Sequence, residues 1–381
     1  MLDFAYWFRP QPKAKNTMGK NVSRKKFLTL AGSAVAISAI GFPNILLSQS
    51  NEKLGVALVG LGYYSTNLLG PGLQHTEHCE LRGIVTGSPE KIPVWQEEYG
   101  IPDANVYNYE TMHEIANNDD IDVVYIVLPN NMHAEYSIIG ANAGKHVWCE
   151  KPMAMNVTEC QAMIDAAEKN GIQLNIGYRM QHEPNTQTII RYGEEETYGE
   201  ITAIRSGGGF RSNHEPDNWR AVGEMGGGSM YDIGLYALNA ARYATGMEPV
   251  AVRGKQWSVR EDIYSDCDEY TNFELEFPGG LILEGKSSFG EGLNYLDIDC
   301  SEGWYRLRPF LSYSGVRGAT SDGTVLSPDP GHQQARQMDD DALAIKNGTA
   351  PIAPGEEGLR DIRILRAIMD SSRLDGQWMQ L

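Results

Sequence analysis

The 381 residues include 32 Lys and Arg against 50 Asp and Glu, for a formal net charge of -18, with 41% hydrophobic and 22% charged residues. That is the composition of a soluble, folded chain long enough for two cores. Its acidity argues against nucleic acid or an anionic membrane as partner, because both are bound through Lys and Arg on phosphates. Cys79, Cys149, Cys160, Cys267 and Cys300 are odd in number and form no CxxC pair, a pattern that implies neither a disulfide framework nor a metal site.

The N-terminus differs in kind from the rest. The basic run Ser23-Arg24-Lys25-Lys26-Phe27-Leu28 precedes an apolar stretch, 28–42, that is too short and too rich in Gly and Ser for a membrane span. It resembles a twin-arginine export signal with Lys25 in place of the second Arg. The expectation is a periplasmic or otherwise exported protein with no membrane association in its mature form, the cytoplasm being the alternative. No small-x-small cleavage site stands before Asn51, and Met18 is an alternative start. Residues 1–50 are set apart as export signal and N-terminal arm.

The folded part opens on the apolar, β-branched run 54–59, read as a buried parallel strand. It ends in Gly60-Leu61-Gly62-Tyr63-Tyr64-Ser65, with a helix expected over 66–73. This is the dinucleotide turn G-x-G-x-x-G with Ser65 in the third place: Gly60 makes the tight turn, Gly62 lets backbone approach a pyrophosphate, and Ser65 is small enough for close packing. A second strand, 79–86, runs into Thr86-Gly87-Ser88-Pro89-Glu90-Lys91. NAD enzymes place an Asp or Glu there for the ribose 2′-hydroxyl. Here stand two hydroxyls, Thr86 and Ser88, and the cation Lys91, which suit a 2′-phosphate and favour NADP, with NAD possible.

A strand over 121–128 leads to Leu128-Pro129-Asn130 and His133. A helix over 134–143 stops at Gly144, and the strand 146–149 runs straight into Glu150-Lys151-Pro152. A helix over 157–169 and a strand over 173–177 complete a doubly wound α/β domain, 51–177. The loops after its strands share one edge, so Lys151 and the Asn130 turn should line one crevice with the glycine turn. From 178 to 381 the pattern is α+β: Gly226-Gly227-Gly228 leads into a helix over 229–245, followed by strands at 250–259, 270–277, 281–288 and 295–300. Asp232 and Tyr236, four apart, share a helical face.

The Glu150-Lys151-Pro152 motif, the Gly60-Leu61-Gly62 turn, Leu128-Pro129-Asn130 with His133, and Gly177-Tyr178-Arg179 together resemble the family of glucose-fructose oxidoreductase and inositol dehydrogenase. Trp219-Arg220, the run from Gly226 to Asn239 with Tyr236 where most relatives carry His, and Pro354-Gly355-Glu356-Glu357-Gly358 resemble its glucose-fructose oxidoreductase subgroup. The resemblance implies a Rossmann domain followed by a domain with a large open, mainly antiparallel sheet whose face joins subunits into a homo-oligomer. It implies hydride transfer between C1 of an aldose and a tightly held nicotinamide. Lys151, Asp232 and Tyr236 would then be catalytic, with Glu150, Arg179, Trp219 and Arg220 beside the cofactor or substrate. A phenol with its ordinary pKa of about 10 is a poor base at neutral pH, and an ammonium such as Lys151 in a dry crevice favours its anion. Sequence leaves open which of the two takes the proton. It also leaves open a dehydrogenase that releases its cofactor, a glycoside hydrolase working through transient oxidation, and a catalytically silent binding protein.

Overall fold

The computed structural model describes residues 53–328 and 331–381; the expected export signal and arm lie outside the described residues. β1 (Leu54–Val59), β2 (Cys79–Val85), β3 (Val106–Tyr107), β4 (Val123–Ile126), β5 (His146–Cys149) and β6 (Leu174–Ile176) form one parallel sheet in the order β3-β2-β1-β4-β5-β6. Every residue of β1 and β4 is buried, as expected for parallel strands covered on both faces. The crossovers are a π-helical turn (Ser65–Leu69) continuing into α1 (Gly70–Leu73), then α2 (Ile92–Tyr99), α3 (His133–Asn142) and α4 (Val157–Asn170). The Asn156 side chain caps α4 by accepting from Glu159 N, and Gly171 ends it in the left-handed conformation.

After α5 (Pro184–Glu194), β7 (Ile201–Gly209) starts a second sheet. A π turn (Met230–Gly234) and α6 (Leu235–Thr245) follow, then β8 (Ala251–Trp257), β9 (Tyr270–Glu276), β10 (Ile282–Ser288), β11 (Leu293–Cys300), β12 (Trp304–Leu307), β13 (Gly318–Thr320) and β14 (Val325–Leu326). With β15 (Met379–Gln380) these make an open nine-stranded sheet, order β14-β13-β12-β11-β7-β10-β9-β8-β15. It is antiparallel except where β7 runs parallel to β10. The expected fold class is thus observed: a Rossmann-like α/β domain and a domain with an open, largely antiparallel sheet.

After α7 (Gln333–Asn347), α8 (Gly355–Arg373) packs on β8 and β15 of the second sheet and on β6 of the first. α7 packs on the first sheet, where the Asp339 carboxylate accepts from Glu77 N and His78 N, and Met338, Ala342 and Ile345 join the core of Val56, Leu58, Tyr125 and Trp148. In α8, Asp361 and Glu357 accept from the buried Arg242 of α6 at 2.5 and 2.9 Å. Asp361 is fully buried, and burial lifts its carboxyl to about 7 although Arg242 pulls the other way.

Candidate active site

The glycine turn has the shape its sequence requires. Gly60 has φ +96°, and a Cβ there would lie 2.4 Å from the Val127 carbonyl, so only glycine fits. A Cβ on Gly62 would meet nothing within 4 Å, which leaves the backbone open to a close-approaching anion. Ser65 faces inward: fully buried, it donates from Oγ to the Gly60 carbonyl at 2.6 Å and braces the turn rather than a ligand. In the loop after β2, Ser88 N donates to Thr86 Oγ1, and Lys91 Nζ donates to the Leu61 carbonyl at 2.8 Å, which puts the cation on the glycine turn. Gly87 packs against the Tyr109 ring, 2.9 Å from where a Cβ would stand. Of this loop, Thr86, Ser88 and Lys91 line the cleft, and Gly87 and Glu90 do not.

The turn after β4 reaches the second domain, with Asn130 Nδ2 donating to the Gly226 carbonyl at 2.8 Å. His133 is almost fully buried and engages both ring nitrogens, Nδ1 with the Pro152 carbonyl at 2.7 Å and Nε2 with the Leu128 carbonyl at 2.9 Å. It therefore ties the β4 turn to the β5 turn. Burial holds its pKa below the usual imidazole range.

At the carboxyl end of β5, Lys151 crosses to the other domain. Its Nζ donates to the Asp232 carbonyl at 2.6 Å, lies 3.5 Å from Asp232 Oδ1, and sits 4.9 Å from the centroid of the Tyr236 ring. Arg220 Nε approaches Asp232 Oδ2 at 3.2 Å while its guanidinium stacks on Trp219. Burial alone would raise the Asp232 carboxyl, but Arg220 and then Lys151 outweigh it and hold the group below the usual carboxylate range. Asp232 belongs to the π turn rather than to a continuous α-helix, and Tyr236 to the first turn of α6; both still face the cleft. Ser229 Oγ and Met230 N donate to the buried Asp268, which anchors the start of that turn.

Glu150 accepts from the Tyr125 hydroxyl at 2.7 Å, and burial lifts its carboxyl to about 7, against the pull of Tyr125, Lys151 and Arg179. Arg179 is 2% exposed and stacks on Tyr236 and Tyr313, at 5.1 and 4.6 Å. Its guanidinium donates to Gln333 Oε1 and to the Leu311 carbonyl, so it clamps the loop after β12 behind Tyr236.

These groups line one cleft of about 1160 Å³, which takes in all the sequence-derived candidates except Ser65 and Gly87. Tyr63, 73% exposed, stands at its rim. Phe210, His214, Asn294 and Tyr313 also line it and were not expected from sequence. Phe210, His214 and Tyr313 come from the loops after β7 and β12 and Asn294 from the start of β11, stretches that carry no motif and so give no local signal. The glycine turn, and a loop after β2 that turns Thr86, Ser88 and Lys91 but not its one carboxylate, Glu90, to the cleft, fit a nicotinamide dinucleotide with a 2′-phosphate.

Residues 54–178 match the oxidoreductase family model with an NAD-binding Rossmann fold, and residues 186–306 match the C-terminal domain model of the same family. A D-xylose 1-dehydrogenase [NADP(+)] of Haloarcula marismortui is 30% identical over 340 residues, 86% of this chain and 93% of the relative. The chain belongs to the Gfo/Idh/MocA oxidoreductase family. Its members are NAD(P)-dependent oxidoreductases acting on CH-OH groups of carbohydrates, and this chain is such an enzyme. A solved aldose-aldose oxidoreductase from Caulobacter crescentus, complexed with glycerol, is 37% identical with TM-score 0.83, covering 87% of this chain and all of that one. A scyllo-inositol 2-dehydrogenase (NADP(+)) of Bacillus subtilis is 23% identical over 84% of this chain and 94% of the relative. No helix among the described residues is long and apolar enough to cross a membrane.

Proposed function

We propose that the protein oxidises an aldose at C1 with NADP drawn from solution. The observation that carries this reading is the convergence of Lys151, Asp232 and Tyr236 beside the glycine turn, in a cleft whose 2′-phosphate side offers Lys91 and no acid. The likeness to NADP-dependent D-xylose 1-dehydrogenases, one over 93% and one over 92% of the relative, supports it. NADP, when bound, supplies the hydride acceptor. The chain's own part is to orient the sugar and take the proton of its C1 hydroxyl. Asp232 fixes the Lys151 ammonium by backbone and side chain, and that ammonium, over the Tyr236 ring, stabilises negative charge as it develops on the sugar oxygen or the phenol.

A second reading, retention of NADP while one sugar is oxidised and another reduced, is supported by the 37% likeness to the aldose-aldose oxidoreductase and by the export expected from the N-terminus, since free NADP is lacking outside the cytoplasm. The experiment is to gel-filter the protein and mix it with aldoses, with and without added NADP. A reduced-nicotinamide band that grows with added NADP supports the releasing dehydrogenase. A band that appears without it, and is discharged by a second sugar, supports retention. We also propose that the exposed face of the second sheet joins subunits.

A further inference from the structure

Beneath α7 the first sheet carries a polar seam that leads away from the cleft. Tyr125, Trp148 and Asn175 are paired across β4, β5 and β6, all fully buried, so they project to one face. α7 lays Gln337 and Asp341 over them, each 1% exposed and one turn apart. At the cleft end, the Tyr125 hydroxyl donates to Glu150 Oε1 at 2.7 Å and accepts from Gln337 Nε2 at 3.1 Å. At the far end, His182, 3% exposed, engages Asp340 Oδ2 through Nδ1 at 2.8 Å, and the Asp340 side chain is 38% exposed. Between these ends Asn175 Oδ1, Gln337 Oε1, both Asp341 oxygens and His182 Nε2 are buried without a hydrogen-bond partner. Asn175 and Gln337 lie beside the Asp341 carboxylate without good hydrogen-bonding geometry, and His182 faces it. Cores seldom leave so many polar atoms unpaired, and such a lining suits a bound water.

We propose that this seam is the exit for the proton that alcohol oxidation releases, a role that rests on the dehydrogenase reading above. Oxidising C–OH to C=O sends a hydride to the nicotinamide and leaves one proton on the Lys151–Tyr236 pair, under a cleft filled by cofactor and sugar. Glu150, next to Lys151 in the chain, takes that proton. Once Glu150 is protonated, the Tyr125 hydroxyl turns from Glu150 to a water held by Asn175 and Gln337, gives that water its own proton as it takes the one on Glu150, and the water passes a proton to Asp341. His182 accepts at Nε2 and releases from Nδ1 to Asp340 at the surface. Only a proton moves, and no oxidant or reductant is needed beyond the cofactor. The two carboxyls on the route are suited to the task. Burial lifts Glu150, which faces Tyr125, Lys151 and Arg179, to about 7, and lifts Asp341, which faces His182, Asn175, Asp340 and Gln337, to about 6.

Asp341→Asn keeps the shape and removes the exchangeable proton. In dilute buffer its kcat should fall about tenfold, a modest share of what a positioned proton-transfer group contributes. KM for the aldose and NADP affinity should hold, and added imidazole should restore the rate. The isotope effect of a C1-deuterated aldose should shrink toward unity as proton exit becomes limiting. His182→Gln, nearer the surface, gives a second variant with the same expected pattern should Asp341→Asn fail to fold. Unchanged kcat, or a loss that imidazole does not restore and that leaves the isotope effect as in the parent, overturns the route. If the unaltered protein reduces no NADP with any aldose, the functional reading itself falls, and the route with it.

Discussion

Lys151 is anchored on Asp232 twice, through a 2.6 Å hydrogen bond to its main-chain oxygen and a 3.5 Å approach to its carboxylate. The ammonium from the edge of the first sheet is therefore positioned by the helix that opens beside the second. Neither domain alone fixes that ammonium in the cleft.

Lys151→Ala should lower kcat by on the order of a thousandfold or more while NADP still binds, because the ammonium acts on charge that forms only in the transition state. Steady-state kinetics with a cofactor titration checks this. Full activity in the variant would remove Lys151 from the chemistry.

Ser88→Asp adds a charge that repels a 2′-phosphate, and Lys91→Ala removes the cation held on the Leu61 carbonyl. Each should weaken NADP by about tenfold or more and leave NAD within about twofold. Equal losses for the two cofactors would show that this loop does not read the ribose.

Gly226→Ala should be costly. Gly226 has φ +81°, and a Cβ there would stand 2.6 Å from Asn130 Cβ and from Met155 Sδ, at the contact that joins the β4 turn to the second domain. Left-handed strain and overpacking together predict a loss of about 2 to 4 kcal/mol in urea unfolding, with a fall in kcat. A variant as stable as the parent would contradict the contact.

Burial raises the Glu150 carboxyl from 4.5 to about 7, so the folded chain holds a proton there that the unfolded chain has released. The stability this contributes is fully present below the unfolded pKa and is lost as pH rises through about 7. Glu150→Gln, which still accepts from Tyr125, should cut the decline in unfolding free energy between about pH 5 and about pH 8 by about 2 to 3 kcal/mol. An unaltered decline would mean that Glu150 is ionised throughout.

Much of this was legible in the sequence because parallel strands and glycine turns leave local marks. The runs 54–59 and 146–149 are strands with those bounds, and Gly60 and Gly62 take the conformations their positions demand. β7, at the centre of the second sheet, escaped notice because it ends in Gly207, Gly208 and Gly209, and glycine is depleted in strands. Those glycines are needed: a Cβ on Gly207 would lie 2.5 Å from the Tyr295 ring, and one on Gly208 2.9 Å from the Ile233 carbonyl. The π turn at Asp232 has no signature in a helical pattern. Arg179 was expected beside cofactor or substrate, and nothing local shows that its guanidinium is committed to Leu311 and Gln333, more than a hundred positions away in the chain.

The most direct test of the account follows the hydrogen itself. The protein is incubated with an aldose deuterated at C1 and with NADP, and the reduced cofactor is examined by mass and NMR spectroscopy. One deuterium should appear at C4 of the nicotinamide for each sugar oxidised, and with Lys151→Ala the label should accumulate more slowly by about a thousandfold or more. Deuterium retained in the sugar while NADP is reduced, or no reduction with any aldose, would contradict it.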